Sequence, residues 1–238
     1  LRPALDLLLR IGEPPEGDVV DLGCGDGAVA DPLRQLFPDR RLVGVDSSQS
    51  MLAHCVGYDE TRLAEIGHWA PERAPAVIFS NAALQWLPHH EAMFPQLVAF
   101  LLPGGVLAVQ MPRQYHAPSH RLMRDLAGGM FPDRFQFEDW VAPVGPPAAY
   151  HRLLAPLGDL LVWETEYLQP LAPVAEGHPV RAFTEATALR PFLARLGEGE
   201  HQEFLEAYDE ALAIAYPAEA DGTVLFPFRR LFLVLTRD

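Results

Sequence analysis

The sequence predicts an α/β protein: a doubly wound, mostly parallel sheet of seven strands with a mainly helical cap. Three observations predict it. In the first half, short apolar runs alternate with stretches of helical periodicity, the pattern of strands joined by crossover helices. The first run, "VVDLGCGDGAVA" (19–30), ends in alternating glycines, as at the tight turns open α/β sheets make at a strand's carboxyl end. After Met111 the rhythm breaks, and a Pro-, His- and aromatic-rich stretch precedes amphipathic segments and a last apolar run.

Residues 1–10 carry a helical pattern through Ala4, Leu5, Leu8 and Leu9. Strands are predicted over 19–22, 41–45, 62–64, 76–80 and 106–110, with helices near 27–37, 48–56 and 90–102. "PGG" (103–105) suits a type II turn, in which Pro103 sets φ and a glycine takes the positive φ. Further on, 148–157 reads as a helix, and 160–167 and 231–235 as strands. Between those strands lie helices near 181–196 and 201–216, the second marked by Phe204, Leu205, Tyr208, Leu212 and Tyr216 at helical spacing.

A chain of 238 residues, 49% of them hydrophobic, can bury a full core, so one globular domain with an inserted cap is expected. Apolar runs such as "VLFPFRRLFLVL" are broken well short of the roughly 18 residues of a membrane span. Residues 1–10 lack a secretory cleavage pattern, and Cys24 and Cys55 make no disulfide framework. The expectation is a soluble cytoplasmic monomer. A net charge of −14 repels phosphate backbones and anionic headgroups, so a small molecule is the expected partner, with no nucleic acid and no membrane. Every basic residue is arginine, which excludes a lysine Schiff base.

Glycines at 23, 25 and 27 let the backbone approach a ligand closely. Gly23, Gly25 and Ala28 also satisfy the dinucleotide pattern G-x-G-x-x-G/A, which brings NAD into consideration. Asp21 tilts the choice: a carboxylate two residues before the first glycine repels a pyrophosphate and attracts a cation. S-adenosylmethionine carries an ammonium and a sulfonium and no phosphate. Asp46, ending "LVGVD", suits the ribose of either cofactor, and Asp26 is expected to cap the next helix.

The stretches "DLGCGDG", "GVDSSQSML" and "SNAALQWLPHHEAMFPQLVAFLLPGGVLAVQMP" resemble class I S-adenosylmethionine-dependent methyltransferases. The last is similar to the trans-aconitate 2-methyltransferase family, and the likeness continues through "APSHRLMRDLA", "ATALRPFL" and "FPFRRLFLV". The resemblance implies a Rossmann-like fold and methyl transfer to one carboxylate of a small tricarboxylate, giving a monomethyl ester. It implies that Gly23, Cys24 and Gly25, beside Asp21, line the methionine part, Asp46 with Ser47 the ribose, and Met51 an adenine face. Glu65, where the family has Asp, would meet the adenine amine beside Ile66, and Asn81 and Ala82 would floor the sulfonium. Tyr115 stands where tryptophan is usual, Asp26 where proline is common, and Ala76 where Asp usually starts the fourth strand. Family members also carry a segment upstream of the position matching Leu1 that helps close the cofactor site.

The implied organisation is a cofactor-binding half over 1–112, a cap segment over 113–147, a core helix and sixth strand over 148–169, a helical cap insertion over 170–226, and a seventh strand, antiparallel, over 227–238. The two cap segments would then lie over the carboxyl edge of the sheet. A tricarboxylate in so acidic a protein needs local cations, and the planar arginine fork binds carboxylates bidentately. Arg190, Arg229 and Arg230 are the candidates, with Arg113 behind them; both Arg229 and Arg230 are expected at the start of the seventh strand, facing the site. Gln85, Trp86, Tyr115 and His120 are the candidate neutral contacts. His89, His90, His116 and His120 repeat no zinc spacing, so no metal is expected. A carboxylic acid with a pKa of about 4 is ionised at neutral pH, so no catalytic base is expected and the protein's part is positioning. The alternatives are methylation of another small metabolite and a catalytically silent S-adenosylmethionine-binding module.

Overall fold

A computed structural model describes residues 1–197 and 199–238, with residue 198 described by its backbone alone. In chain order the elements are α1 (Arg2–Leu8), β1 (Val19–Leu22), α2 (Ala30–Leu36), β2 (Leu42–Asp46), α3 (Gln49–Leu52), β3 (Glu60–Leu63), β4 (Val77–Asn81), α4 (His90–Phe100), β5 (Val106–Pro112), α5 (Pro118–Met130), α6 (Pro147–Leu154), β6 (Gly158–Leu171), α7 (Pro179–Glu185), α8 (Arg190–Leu193), α9 (Glu198–Ala215) and β7 (Val224–Arg237). The strands form one seven-stranded sheet in the order β3-β2-β1-β4-β5-β7-β6. Two compact units divide the chain: Leu1–Pro112 with Pro143–Thr165 and Arg230–Asp238, and Arg113–Ala142 with Glu166–Arg229. No helix among the described residues is long and apolar enough to cross a membrane.

In the first unit, β1 to β5 run parallel and β7 runs antiparallel to β5, as expected for this fold. β1 is buried along its whole length, which is why it reads as a β-branched run without alternation: helices cover both faces of a parallel sheet. β1 pairs with β2 on one side and β4 on the other, so the strand order reverses there. Open α/β sheets form their ligand crevice beyond the carboxyl ends of strands at such a switch point. The turn before β5 is as expected, with Gly104 at φ 75° and Gly105 N–H donating to Leu102 O at 2.8 Å.

Several boundaries differ from expectation. The third strand is Glu60–Leu63, two residues earlier than its apolar pattern suggests. α2 begins only at Ala30 with Val29 at its N-cap, so Asp26 does not cap it; the glycine loop spends those residues on successive turns, Gly27 N–H to Cys24 O and Ala30 N–H to Gly27 O. The helix expected over 48–56 shortens to α3, because Gly57 at φ 89° turns the chain toward β3.

In the second unit α5 was not foreseen. Pro118 is its start signal, since a missing N–H costs nothing in a first helical turn. α5 packs on α9, and the stripe Phe204, Tyr208, Leu212, Tyr216 is buried as its spacing requires, together with Met123, Ala127, Val180, Leu189, Phe226 and Phe228. Two tyrosines of that stripe bind the start of α5: Ser119 N–H donates to Tyr216 Oη at 3.0 Å, and Tyr208 Oη donates to Ser119 O at 2.8 Å. The helix expected over 181–196 is two pieces, α7 and α8. Pro191 lacks an N–H and its ring excludes the carbonyl a turn earlier, so the chain re-forms its helix only from Arg190. β7 starts at Val224, which places Arg229 and Arg230 within the strand rather than at its start.

Candidate active site

The glycine turn after β1 leaves no room for a side chain at Gly23 or Gly27. Val45 O accepts from Gly23 N at 2.8 Å and from Cys24 N at 3.1 Å, tying the turn to the end of β2. Gly23 has φ 83°, and a Cβ there would stand 2.1 Å from Ala83 Cβ, so the turn lies directly against the segment after β4. Ile66 Cδ1 is 3.7 Å from the same point, and Met51 Cε is 3.3 Å from where a Cβ on Gly25 would be. The first unit therefore brings Gly23, Gly25, Met51, Ile66 and Ala83 to one place.

Two carboxylates stand at this turn. Asp46 Oδ2 accepts from Gly25 N at 2.9 Å and Oδ1 from Ser48 N at 2.8 Å, so the acid that ends β2 shapes both the turn and the start of α3. Asp21 is buried, and Tyr58 Oη donates to its Oδ2 at 2.5 Å. Burial pushes the Asp21 carboxyl up to about 7; the Tyr58 bond opposes the rise and the charge of Asp46 adds to it. Cys24 Sγ lies 4.0 Å from Cys55 Sγ, and burial, then Asp21, drives its thiol far above the usual range.

At the end of β4, Ala82 takes φ 56°, a left-handed conformation that costs a non-glycine residue energy and recurs at functional sites. It is held there by its N–H to Gln110 O at 2.9 Å and by Gln85 Nε2, which donates to Ala82 O at 2.7 Å. Buried side-chain atoms in this region without a hydrogen-bond partner include Asn81 Oδ1, Gln85 Oε1 and Gln110 Nε2. Buried polar groups are nearly always satisfied, so a cluster of exceptions makes the carboxyl edge of β4 and β5 a candidate binding edge. Arg230 joins it by donating from Nη1 to Gln110 Oε1 at 3.2 Å.

Other expected residues sit differently. Ser47 is exposed, and it is Ser48 that caps α3 by accepting from Met51 N at 3.3 Å. Glu65 is exposed at the head of the single turn Ile66–His68, and Trp86 is 61% exposed. Adjacent strand residues point to opposite faces, so Arg229 and Arg230 cannot both face one site. Arg229 is exposed and pairs with Glu166 at 3.3 Å, which corrects the expectation of a joint clamp.

Within the second unit, Tyr115 and His120 meet edge to face at 5.7 Å, Tyr115 lies 6.3 Å from Trp140, and Arg124 covers Trp140 at 3.8 Å while donating to Tyr115 O. Burial, with Arg124 nearby, lowers His120 to about 4, so it is neutral at physiological pH. Arg190 is exposed at the start of α8.

Sequence reasoning missed Tyr58, Ala83 and Gln110. Gln110 had a legible signal, the one polar residue in the run "VLAVQMP"; Tyr58 had none, because only the fold carries it to Asp21.

A family model described as a methyltransferase domain matches residues 2–143. The chain is 42% identical to the trans-aconitate 2-methyltransferase of Azoarcus sp. (strain BH72), covering 99% of this chain and 93% of that one. It is 41% identical to the enzyme of that name from Klebsiella pneumoniae (strain 342), over 98% and 91% of the two chains. Among solved structures it is similar to the YcgJ protein from Bacillus subtilis, with a TM-score of 0.60, 12% identity and 100% of both chains covered. It is also similar to a Haemonchus contortus phosphoethanolamine N-methyltransferase 2 in complex with S-adenosyl-L-methionine, with a TM-score of 0.57, 16% identity and 100% and 53% of the chains covered. At such identities the last two show the fold alone.

Proposed function

Because the chain belongs to the trans-aconitate 2-methyltransferase family, we propose that it transfers a methyl group from S-adenosylmethionine to one carboxylate of a small polycarboxylic acid of the trans-aconitate kind, giving a monomethyl ester. The observation that carries this reading is the buried carboxyl of Asp21 beside a glycine turn that leaves no room for a side chain at Gly23, with Asp46 at the end of β2. A pyrophosphate there would meet the carboxyl of Asp21, which favours a cationic ligand, while Asp46 suits the ribose of either cofactor.

The residues fit such a ligand. Each Asp46 oxygen uses one lone pair on a backbone N–H and keeps another for a ribose hydroxyl. Met51 offers an apolar face above Gly25, and the unpartnered Asn81 Oδ1 and Gln85 Oε1 are acceptors suited to a positively charged neighbour. Asp21, Gly23, Cys24, Glu65, Ile66 and Ala82 complete the proposed cofactor set, with Ser47 beside Asp46.

S-Adenosylmethionine supplies, when bound, an electrophilic methyl on a sulfonium. The chain's own residues have no proton to remove, because the acceptor carboxylate is already ionised. Their work is to hold the acceptor oxygen in line and to exclude water. An anion and a cation cancel in this reaction, so an arginine tight on the reacting carboxylate would stabilise the start more than the transition state. Arg230 is therefore assigned to a spectator carboxylate, and the neutral Gln85 and Trp86 to the reacting one. In the second unit Tyr115 and His120 offer neutral contacts and Arg190 an exposed guanidinium, while Arg229 is engaged by Glu166. The same reading takes the working form as a cytoplasmic monomer, and the net charge of −14 supports the absence of a nucleic-acid partner.

The test is transfer of labelled methyl to trans-aconitate, cis-aconitate, isocitrate and a monocarboxylate. Transfer to the tricarboxylates is expected. Transfer to none of the acids would overturn the reading, and preference for the monocarboxylate would remove Arg230 from it.

A further inference from the structure

We propose that Gln110 is a positioning residue that sets the enzyme's selectivity for anionic acceptors by holding the Arg230 guanidinium and keeping the adjoining edge of the sheet a donor surface. The inference rests on the reading above and extends it to a residue with no assigned part.

The placement follows from strand register. Asn81 lies opposite Gln110 in the β4–β5 pairing; Gln110 lies opposite Phe232, and Pro112 opposite Arg230, in the β5–β7 pairing. Residues opposite one another share a face, and so do residues two apart along a strand, which puts the side chains of Asn81, Gln110 and Arg230 on one face of the sheet. Gln110 is fully buried in a strand whose other members are apolar or proline, and a hydrocarbon of its size would pack there without leaving a polar atom unsatisfied.

The orientation of its amide is dictated by its neighbour. Arg230 can only donate, so Gln110 must turn Oε1 toward it, at 3.2 Å, and Nε2 away, where it finds no partner. The same logic fixes Gln85 in the opposite sense: Ala82 O can only accept, so Nε2 faces it and Oε1 is left over. The unsatisfied groups thus divide by chemistry. On the β4 side, Asn81 Oδ1 and Gln85 Oε1 are acceptors, as a cationic donor of methyl requires; on the β5 side, Gln110 Nε2 beside Arg230 makes a donor edge, as an anionic acceptor requires. Two reactants of opposite charge must meet at this edge, and the amide orientations sort them.

The experiment compares wild type with Gln110→Glu and Gln110→Met, measuring S-adenosylhomocysteine affinity by calorimetry and KM and kcat on trans-aconitate. Glu keeps the shape but pairs with Arg230 and repels an incoming anion; Met keeps the volume and removes the hydrogen bond to Arg230 without adding charge. The expected result is a KM raised at least about tenfold for Glu and less for Met, with kcat changed by less than about threefold and cofactor affinity unchanged. If Glu fails to fold, Met decides. A folded variant with the wild-type KM, or one losing cofactor affinity in parallel with KM, overturns the inference while leaving the proposed reaction intact. A wild-type protein that methylates no acid removes both.

Discussion

The Tyr58 hydroxyl donates a hydrogen bond of 2.5 Å to the buried carboxyl of Asp21, across a turn whose ligand is proposed to be a cation. The bond stabilises the anion, yet burial prevails and the carboxyl titrates at about 7 instead of its ordinary 3.8. Between those values the folded unit holds a proton that the unfolded chain has released, so Asp21 makes the protein less stable as pH climbs from about 4 to about 7. A cationic ligand favours the ionised form. S-Adenosylmethionine affinity is therefore expected to rise with pH up to about 7 and level off above it, with release of up to one proton on binding. Calorimetry at several pH values checks this: Asp21→Asn flattens the profile, and Tyr58→Phe moves its midpoint upward.

Gly23→Ala places a methyl 2.1 Å from Ala83 Cβ on a backbone at φ 83°. Left-handed strain and overpacking act together, so a loss of about 2–3 kcal/mol is expected, lowering the melting temperature by roughly 5–10 °C. The variant is also expected to lose the thermal upshift expected of the wild type with S-adenosylhomocysteine, because the two loops it wedges apart form the proposed cofactor site. Thermal scans with and without ligand read both effects.

His90 anchors the turn that carries Gln85 and Trp86. A carbonyl accepts only, so His90 Nε2 carries the proton donated to Leu84 O at 2.9 Å, and Nδ1 accepts from Tyr150 Oη at 2.6 Å. Tyr150→Phe leaves Nδ1 buried without that donor, at an expected cost of about 1–3 kcal/mol in urea unfolding. Burial holds the His90 pKa below its ordinary 6.5, so the contribution of His90 to stability declines as pH falls below that value, opposing that of Asp21.

The second unit has its own acid sensitivity through His120. Its imidazole takes up a proton near 6.5 when unfolded and only at about 4 when folded, so stability is present at neutral pH and declines as pH falls through that window. Near-ultraviolet circular dichroism reports it, because Tyr115 and Trp140 lie beside one another here. His120→Gln is expected to reduce the pH slope of the dichroism transition.

How much was readable in advance depended on the range of the signal. β1 and β5 announced themselves because a strand covered on both faces has no polar side to disguise it. β3, with a burial pattern that alternates, blends into its flanks and was placed two residues late. The stripe Phe204, Tyr208, Leu212, Tyr216 declared α9, whereas α5 was hidden by a neighbourhood of proline and histidine that reads as irregular. Within the site, Asp21, Gly23, Gly25 and Asp46 were legible because their chemistry is local to one turn and one strand end. Tyr58 was not, since nothing near it in sequence says that a buried carboxyl waits 37 positions upstream.

By itself the sequence determined the alternation of strands and helices, the tight turn after the first strand and the acids beside it, because periodicity, glycine conformation and charge are properties of short segments. Only the tertiary structure decided which of two adjacent arginines faces Gln110, which way each buried amide turns, and how strongly Asp21 resists ionisation. Those outcomes depend on strand register and on what lies across space from each group. Burial and hydrogen-bond partnership arise only when distant segments are packed together.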